Sequence, residues 1–418
     1  MTSRVRQIRS RRSTALRCAA PLVTLALAAT GCGASVTPGR IGDSPRSPAT
    51  TAADPPPAAA STPSPTGAAT CTDRYFSGMT TAQRVGQLFM GGISAAHPDQ
   101  AQLRTLRDHH VGAIMLTGRS TAGVTATKKT VDGFRGQADQ VGGRRVGLLV
   151  ATDQEGGQVQ VLNGPGFSAM PNGLTQGSWP ASTLRSQAAG WATQLKAAGV
   201  NLNLAPIADV VPTSLGTRNM PIGSFRREYG HTPETVTSHS GAFAAGFAQS
   251  GVLTTLKHFP GLGQVIGNTD VTANVVDSVT TANSAGLEPF RAGIRAGSPF
   301  VMVSSATYTK IDPKHLAAFS PTVISDLLRG RLGFKGVVIS DDIGNAVAVQ
   351  SFTPAQRAVN FIAAGGNMIL TVRPSTVPAM TQAVEARMRQ DASFRAKVDD
   401  SVRRILAAKQ SAGLLDCH

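Results

Sequence analysis

Eight short runs rich in Val, Ile and Leu, each followed by a longer stretch with helical periodicity, constrain this chain more than any other feature. The runs lie near 86–92, 111–116, 146–152, 200–205, 252–257, 300–305, 337–340 and 368–372. Continuous apolar runs suit strands buried on both faces, as in a parallel sheet covered by helices, whereas a sheet with one wet face alternates apolar and polar residues. Between the third and fourth runs, Leu184, Ala188, Trp191, Leu195 and Ala198 recur at spacings of four and three, one apolar stripe on a helix. Eight strand-then-helix repeats predict a single (β/α)8 TIM-like barrel over 71–418, at the upper end of the size range for that fold. The competing doubly wound open sheet would often carry a Gly-rich phosphate loop after its first strand, and Met90-Gly91-Gly92 is a poor match.

The residues ahead of the repeats read as targeting and spacing. Residues 1–31 hold six arginines, no acidic residue and a short apolar run, the pattern of a secretory signal peptide. Ser10-Arg11-Arg12 also resembles a weak twin-arginine signal, and an accidental arginine pair is an equal reading. The segment ends in Leu27-Ala28-Ala29-Thr30-Gly31-Cys32, which resembles the lipobox of bacterial lipoproteins and implies lipidation of Cys32. Residues 32–70 are mostly Pro, Ala, Ser, Thr and Gly, a disordered tether with little to bury. Cys71 and Cys417 bracket the repeats, and in an oxidising extracytoplasmic space they are expected to form a disulfide joining the domain's ends.

The formal charge of +16 invites a nucleic-acid partner, but removing the signal segment lowers it to +10. The remaining excess is scattered along the chain with no basic run interleaved with aromatics, so no nucleic acid is expected. No His-Glu-x-x-His, paired Cys-x-x-Cys, Gly-x-Ser-x-Gly or P-loop occurs, which leaves metal hydrolysis, serine esterases and nucleotide hydrolysis without support. No metal or cofactor is expected. His109-His110 reads as a surface helix end and Asn367 as structural.

Polar residues gather where the runs end: Asp153 and Glu155, Asp209, Lys257 and His258, Ser304 and Ser305, Asp341 and Asp342, Arg373. In an eight-fold barrel those ends share one mouth, where chemistry sits. Asp153-Gln154-Glu155-Gly156-Gly157, Asn203 to Asp209, Lys257-His258-Phe259-Pro260-Gly261 and Ser340-Asp341-Asp342, in that order, resemble glycoside hydrolase family 3, in its single-domain NagZ-type β-N-acetylhexosaminidase form. The resemblance covers nearly all of 71–418. It implies a retaining mechanism with Asp341 as nucleophile, and a sugar-binding set of Asp153, Arg227, Lys257 and His258, with Arg226 competing for the arginine's place. Glycosidic cleavage passes through an oxocarbenium-like state, so it needs a carboxylate below the anomeric carbon and a proton donor above the leaving oxygen. Without the resemblance, Asp341 could equally be a helix cap, and Asp342 is at least as good a one.

One loop departs from the family. Where members usually read Lys-His-Phe-Pro-Gly-His-Gly and then Asp-Ser-His, whose histidine is the acid/base, this chain has Leu262 in the first position and Asn268-Thr269-Asp270 in the second. Both histidines are gone. Asp270 is expected to serve as acid/base directly; the alternative is a catalytically degenerate lipoprotein that only binds glycans. Gly261, Gly263 and Gly267 suggest a mobile loop that swings in with substrate. The expected activity is exo-hydrolysis of β-linked N-acetylglucosamine, or a related sugar, from cell-wall glycans by a monomer held to the membrane only through its lipid. A β-glucosidase-like specificity is the further alternative.

Overall fold

The structure, a computed structural model, describes residues 70–417. The signal peptide, the tether to residue 69 and Cys32 lie outside these residues. Eight parallel strands form the central sheet: β1 (Phe89–Ser94), β2 (Ala113–Thr117), β3 (Leu149–Thr152), β4 (Leu202–Asn203), β5 (Leu253–Phe259), β6 (Phe300–Val303), β7 (Val337–Ser340) and β8 (Ile369–Thr371). Each pairs with its sequence neighbours, β8 pairs back with β1, and a parallel bridge between Ile339 and Met368 joins β7 to β8. Helices follow every strand and cover the outer face, while side chains of the inner face pack on one another, so the strands are buried almost throughout.

The order of elements is the one the eight runs predict. The first strand begins three residues later than its run because Thr81–Gln87 is a helix. Thr80 and Gln83 cap it reciprocally, satisfying backbone donors that a strand would have paired otherwise. The apolar stripe from Leu184 to Ala198 lies on and just past helix Ala181–Ala197, and all five residues are buried.

Cys71 and Cys417 are joined by a disulfide across 346 residues of sequence. Beside it the Tyr75 hydroxyl donates to the Asp416 carbonyl and accepts from the Asp416 amide, so the domain's two ends are stitched together twice. Cross-linking so long a loop restricts the unfolded chain. Cys71→Ser is expected to lower stability by about 2–5 kcal/mol, read as an earlier midpoint in urea unfolding; an unchanged midpoint would show that the Tyr75 contacts suffice.

Candidate active site

The mouth at the strands' C-terminal ends encloses a cavity of about 260 Å³, lined by Asp153, Arg227, Lys257, His258, Asp270 and Asp341 among others. All six residues singled out from the sequence for chemistry or sugar binding therefore meet at one place. A wider groove continues outward past Thr117, Arg119, Gln158 and Phe225, and shares Asp153, Arg227 and Asp270 with the cavity.

Adjacent residues on a regular strand point to opposite faces, yet Lys257 and His258 both reach the cavity. The strand is irregular there: the pairing of β5 with β6 shifts register between Val301 and Val303, and the Lys257–His258 peptide is cis. Lys257, only 2% exposed, donates to Asp153 Oδ1 at 2.5 Å and lies 2.6 Å from Glu155 Oε1. Two carboxylates therefore partner this buried lysine. Glu155 also receives Arg227 in a two-pronged contact, Nε to Oε2 at 2.8 Å and Nη2 to Oε1 at 2.7 Å. Burial works to raise the Glu155 pKa, but Arg227 and Lys257 together outweigh it and hold the carboxyl at about 2. Burial works to lower the Lys257 pKa, and Arg227 adds to that, but Asp153 and Glu155 outweigh both and hold the ammonium above its ordinary value. The arginine in question is Arg227, which lines the cavity; Arg226 does not line it and instead caps a short helical turn in the left-handed conformation.

His258 is oriented by Asp209, a fully buried residue at the end of the fourth repeat's Asn203 to Asp209 stretch. Asp209 Oδ2 lies 2.8 Å from His258 Nδ1, and its Oδ1 accepts the backbone amides of His258 and Leu262. With Nδ1 so engaged, the other ring nitrogen is the one left for the cavity.

The adjacent pair Asp341 and Asp342 is divided by hydrogen bonding. Asp342 accepts three backbone amides, from Gly344, Asn345 and Val372, and so fixes the loops after β7 and β8. Among the described residues Asp341 accepts only the Asp342 amide, on Oδ1, which leaves Oδ2 for chemistry. Burial raises the Asp341 pKa, His258 pulls it back and Asp270 pushes it up. Asp270, an exposed residue that lines the same cavity, is raised by the partial loss of water around its carboxyl, with Arg227 and His258 opposing. Two carboxyls that disfavour each other's charge are suited to divided acid and nucleophile roles.

Glu155 and Asp209 were visible in the sequence at strand ends but were not assigned to the site. The clue available was their place: each follows a strand, where a side chain meets either the mouth or a residue that lines it. Asn367 is buried, accepting the Val338 amide and donating to Ser401 Oγ, a structural role.

A barrel whose mouth holds two facing carboxyls beside a charged clamp has the architecture of a glycoside hydrolase. The "Glycosyl hydrolase family 3 N terminal domain" matches residues 80–408, and this chain belongs to glycoside hydrolase family 3. A beta-hexosaminidase of Xanthomonas axonopodis pv. citri is 32% identical over 304 residues, 71% of this chain and 86% of that protein. Another, from Stenotrophomonas maltophilia strain K279a, is 36% identical over 247 residues, 57% of this chain and 71% of its own length. The crystal structure of a β-N-acetylhexosaminidase from Beutenbergia cavernae matches with a TM-score of 0.78 and 51% identity, over 79% of this chain and 99% of that one.

Proposed function

We propose that the barrel removes terminal β-linked N-acetylglucosamine from cell-wall glycan fragments by a two-step retaining reaction. The observation that carries this reading is the pairing of Asp341, with one oxygen free, and Asp270 in a single cavity. Asp341 attacks the anomeric carbon as the leaving oxygen takes a proton from Asp270. Water, deprotonated by the Asp270 carboxylate, then breaks the Asp341 ester. Asp153, Arg227, Lys257 and His258 grip the sugar. Lys257 retains donor capacity beyond its two carboxylate contacts, since an ammonium has three N–H groups. The leaving group occupies the outer groove, which borders Asp270 but not Asp341.

The test is hydrolysis of aryl β-glycosides that differ at the 2-position by the 70–418 domain. Preference for the 2-acetamido sugar supports the reading. Preference for the 2-hydroxy sugar favours the glucosidase alternative, and binding without turnover favours a degenerate glycan binder, the reading that the two missing loop histidines would support.

Because loss of solvent in the cavity raises both carboxyls, kcat/KM is expected to follow a bell whose limbs belong to the pair jointly. The acid limb follows formation of the singly ionised pair and the alkaline limb its loss to the doubly ionised one. Asp270→Ala should abolish the alkaline limb; an unaltered bell would remove Asp270 from the mechanism.

The same reading places the mature chain on the outer face of the cell membrane through a lipid on Cys32. Incorporation of an alkynyl fatty acid that Cys32→Ser does not reduce would rule this out.

A further inference from the structure

The glycines of the 261–270 loop suggest mobility, yet the structure ties the loop down along its length. The Gly261 carbonyl accepts from the Tyr308 hydroxyl at 2.8 Å, and the Leu262 amide donates to Asp209 at 2.7 Å. Further along, the Ile266 carbonyl accepts the Met220 amide at 3.2 Å. At the catalytic end the Thr269 carbonyl accepts the Ala348 amide at 3.0 Å, and the Asp270 carbonyl accepts the Val347 amide at 3.1 Å. The glycines serve geometry instead. Gly261 has φ +128°, and a Cβ on Gly263 would sit 1.9 Å from the Val210 carbonyl oxygen.

Asn219 is the centre of this arrangement. It is fully buried, and its amide makes four contacts. Nδ2 donates to the carbonyls of Leu262 at 2.7 Å and Val265 at 2.8 Å, while Oδ1 accepts the amides of Ile222 at 3.0 Å and Gly223 at 2.9 Å. An Asn side chain offers two donors and one acceptor oxygen, so each is used. On one side Asn219 fastens the loop that carries Asp270. On the other it shapes the turn whose Pro221 carbonyl accepts from Arg227 Nη1 and whose Ile222 carbonyl accepts the Arg227 amide.

We propose that Asn219 is a positioning residue that, with the Val347 and Ala348 amides, holds the proton-donor loop closed before substrate arrives, so that Asp270 is in place in the free enzyme. The inference rests on Asp270 as the acid/base. It replaces a loop that swings in by one that is already closed, which removes a closing step from each turnover at the expense of freedom to accept bulky leaving groups.

Two variants approach the clamp from opposite sides. Asn219→Asp keeps the acceptor for Ile222 and Gly223 but loses the donors to Leu262 and Val265. Val347→Pro deletes only the amide that donates to Asp270. Val347 opens a short 3-10 helix, and Ala346 before it is already extended at φ −55°, ψ 136°, a conformation compatible with a following proline. General acid catalysis contributes about 10²–10⁴-fold, and it matters only where the leaving group needs a proton. Asn219→Asp is therefore expected to lose roughly 10–100-fold in kcat on alkyl or weakly activated aryl N-acetylglucosaminides and no more than about threefold on the dinitrophenyl glycoside. Val347→Pro should show the same pattern at roughly three- to tenfold. In the unmodified enzyme without substrate, the Val347 and Ala348 amides should exchange slowly with deuterium.

Equal losses on all leaving groups with a raised KM would place Asn219 behind Arg227 alone and overturn the proposal, as would fast exchange at Val347 and Ala348. Asp270→Ala, run in parallel, separates the two claims. If it lacks leaving-group dependence, the acid/base assignment fails; if it has it and both clamp variants do not, only the clamp fails. Should Asn219→Asp not fold, Val347→Pro and the exchange rates decide.

Discussion

Replacing Asp341 with alanine is expected to cut kcat on an aryl β-N-acetylglucosaminide by on the order of 10⁴-fold or more, while the protein stays folded. With Asp341 as the proposed nucleophile, its removal ends the covalent route, and the residues proposed to grip the sugar can supply binding but no bond to the anomeric carbon. Stability should not suffer. Burial already disfavours the Asp341 charge and Asp270 opposes it, so the substitution relieves a cost borne for function.

Azide distinguishes the roles of the two carboxyls by stereochemistry. In Asp341→Ala, azide enters from the face the nucleophile vacated and yields the α-glycosyl azide. In Asp270→Ala, Asp341 still forms its ester on that face, azide attacks from the opposite one, and the β-glycosyl azide results. Exchanged anomers would reverse the assignment, and identical ones would overturn the division of roles. Asp342→Asn is a useful companion: its three backbone contacts are positional, so it should lose activity without any azide rescue.

The division of labour between Asp341 and Asp342 marks where sequence reasoning stops. Both are Asp at a strand end, and side-chain chemistry alone cannot tell a cap from a nucleophile; only the three amides that converge on Asp342 separate them. The barrel itself was legible because each strand is apolar on both faces and each helix has a stripe, signals that are local and periodic. Lys257 and His258 were legible as residues of the mouth, but their partners were not: Asp153 and Glu155, which hold Lys257, lie about a hundred residues away, and Asp209, which orients His258, lies 49 away, and only the order of strands in the sheet brings them together. Asn219 carried no signal at all. It sits in an irregular loop, and its four partners are backbone groups, which any sequence would provide. The glycines of the 261–270 loop are ambiguous for a related reason: a glycine needed for a positive φ or a close backbone approach looks, in sequence, like one placed for mobility.

Lys409 presents the second large effect, on stability. It lies near the end of helix Ala392–Ser411, fully buried, with its ammonium 2.5 Å from Gln87 Oε1 and, among the described residues, no carboxylate in ion-pair contact. Burial depresses its pKa to about 7 from an ordinary 10.5, against a weaker pull upward from Asp139. At and below pH 7 the folded chain must therefore carry a desolvated charge, or give up its proton, where the unfolded chain does neither, a penalty of about 5 kcal/mol. Between pH 7 and 10.5 the unfolded chain binds a proton that the folded chain has released, so the penalty shrinks and this residue's contribution makes stability rise with pH. Lys409→Met removes the charge and roughly keeps the volume, but it leaves Gln87 Oε1 without its donor, at about 1–3 kcal/mol. The net expectation is a gain of about 2–4 kcal/mol at pH 6 that fades, and changes sign, as pH approaches 10. Urea unfolding of both proteins at pH 6 and at pH 9.5 measures it. A difference independent of pH would mean that Lys409 keeps its proton across this range, and that Gln87 and Asp139 solvate the ammonium well enough to offset its burial.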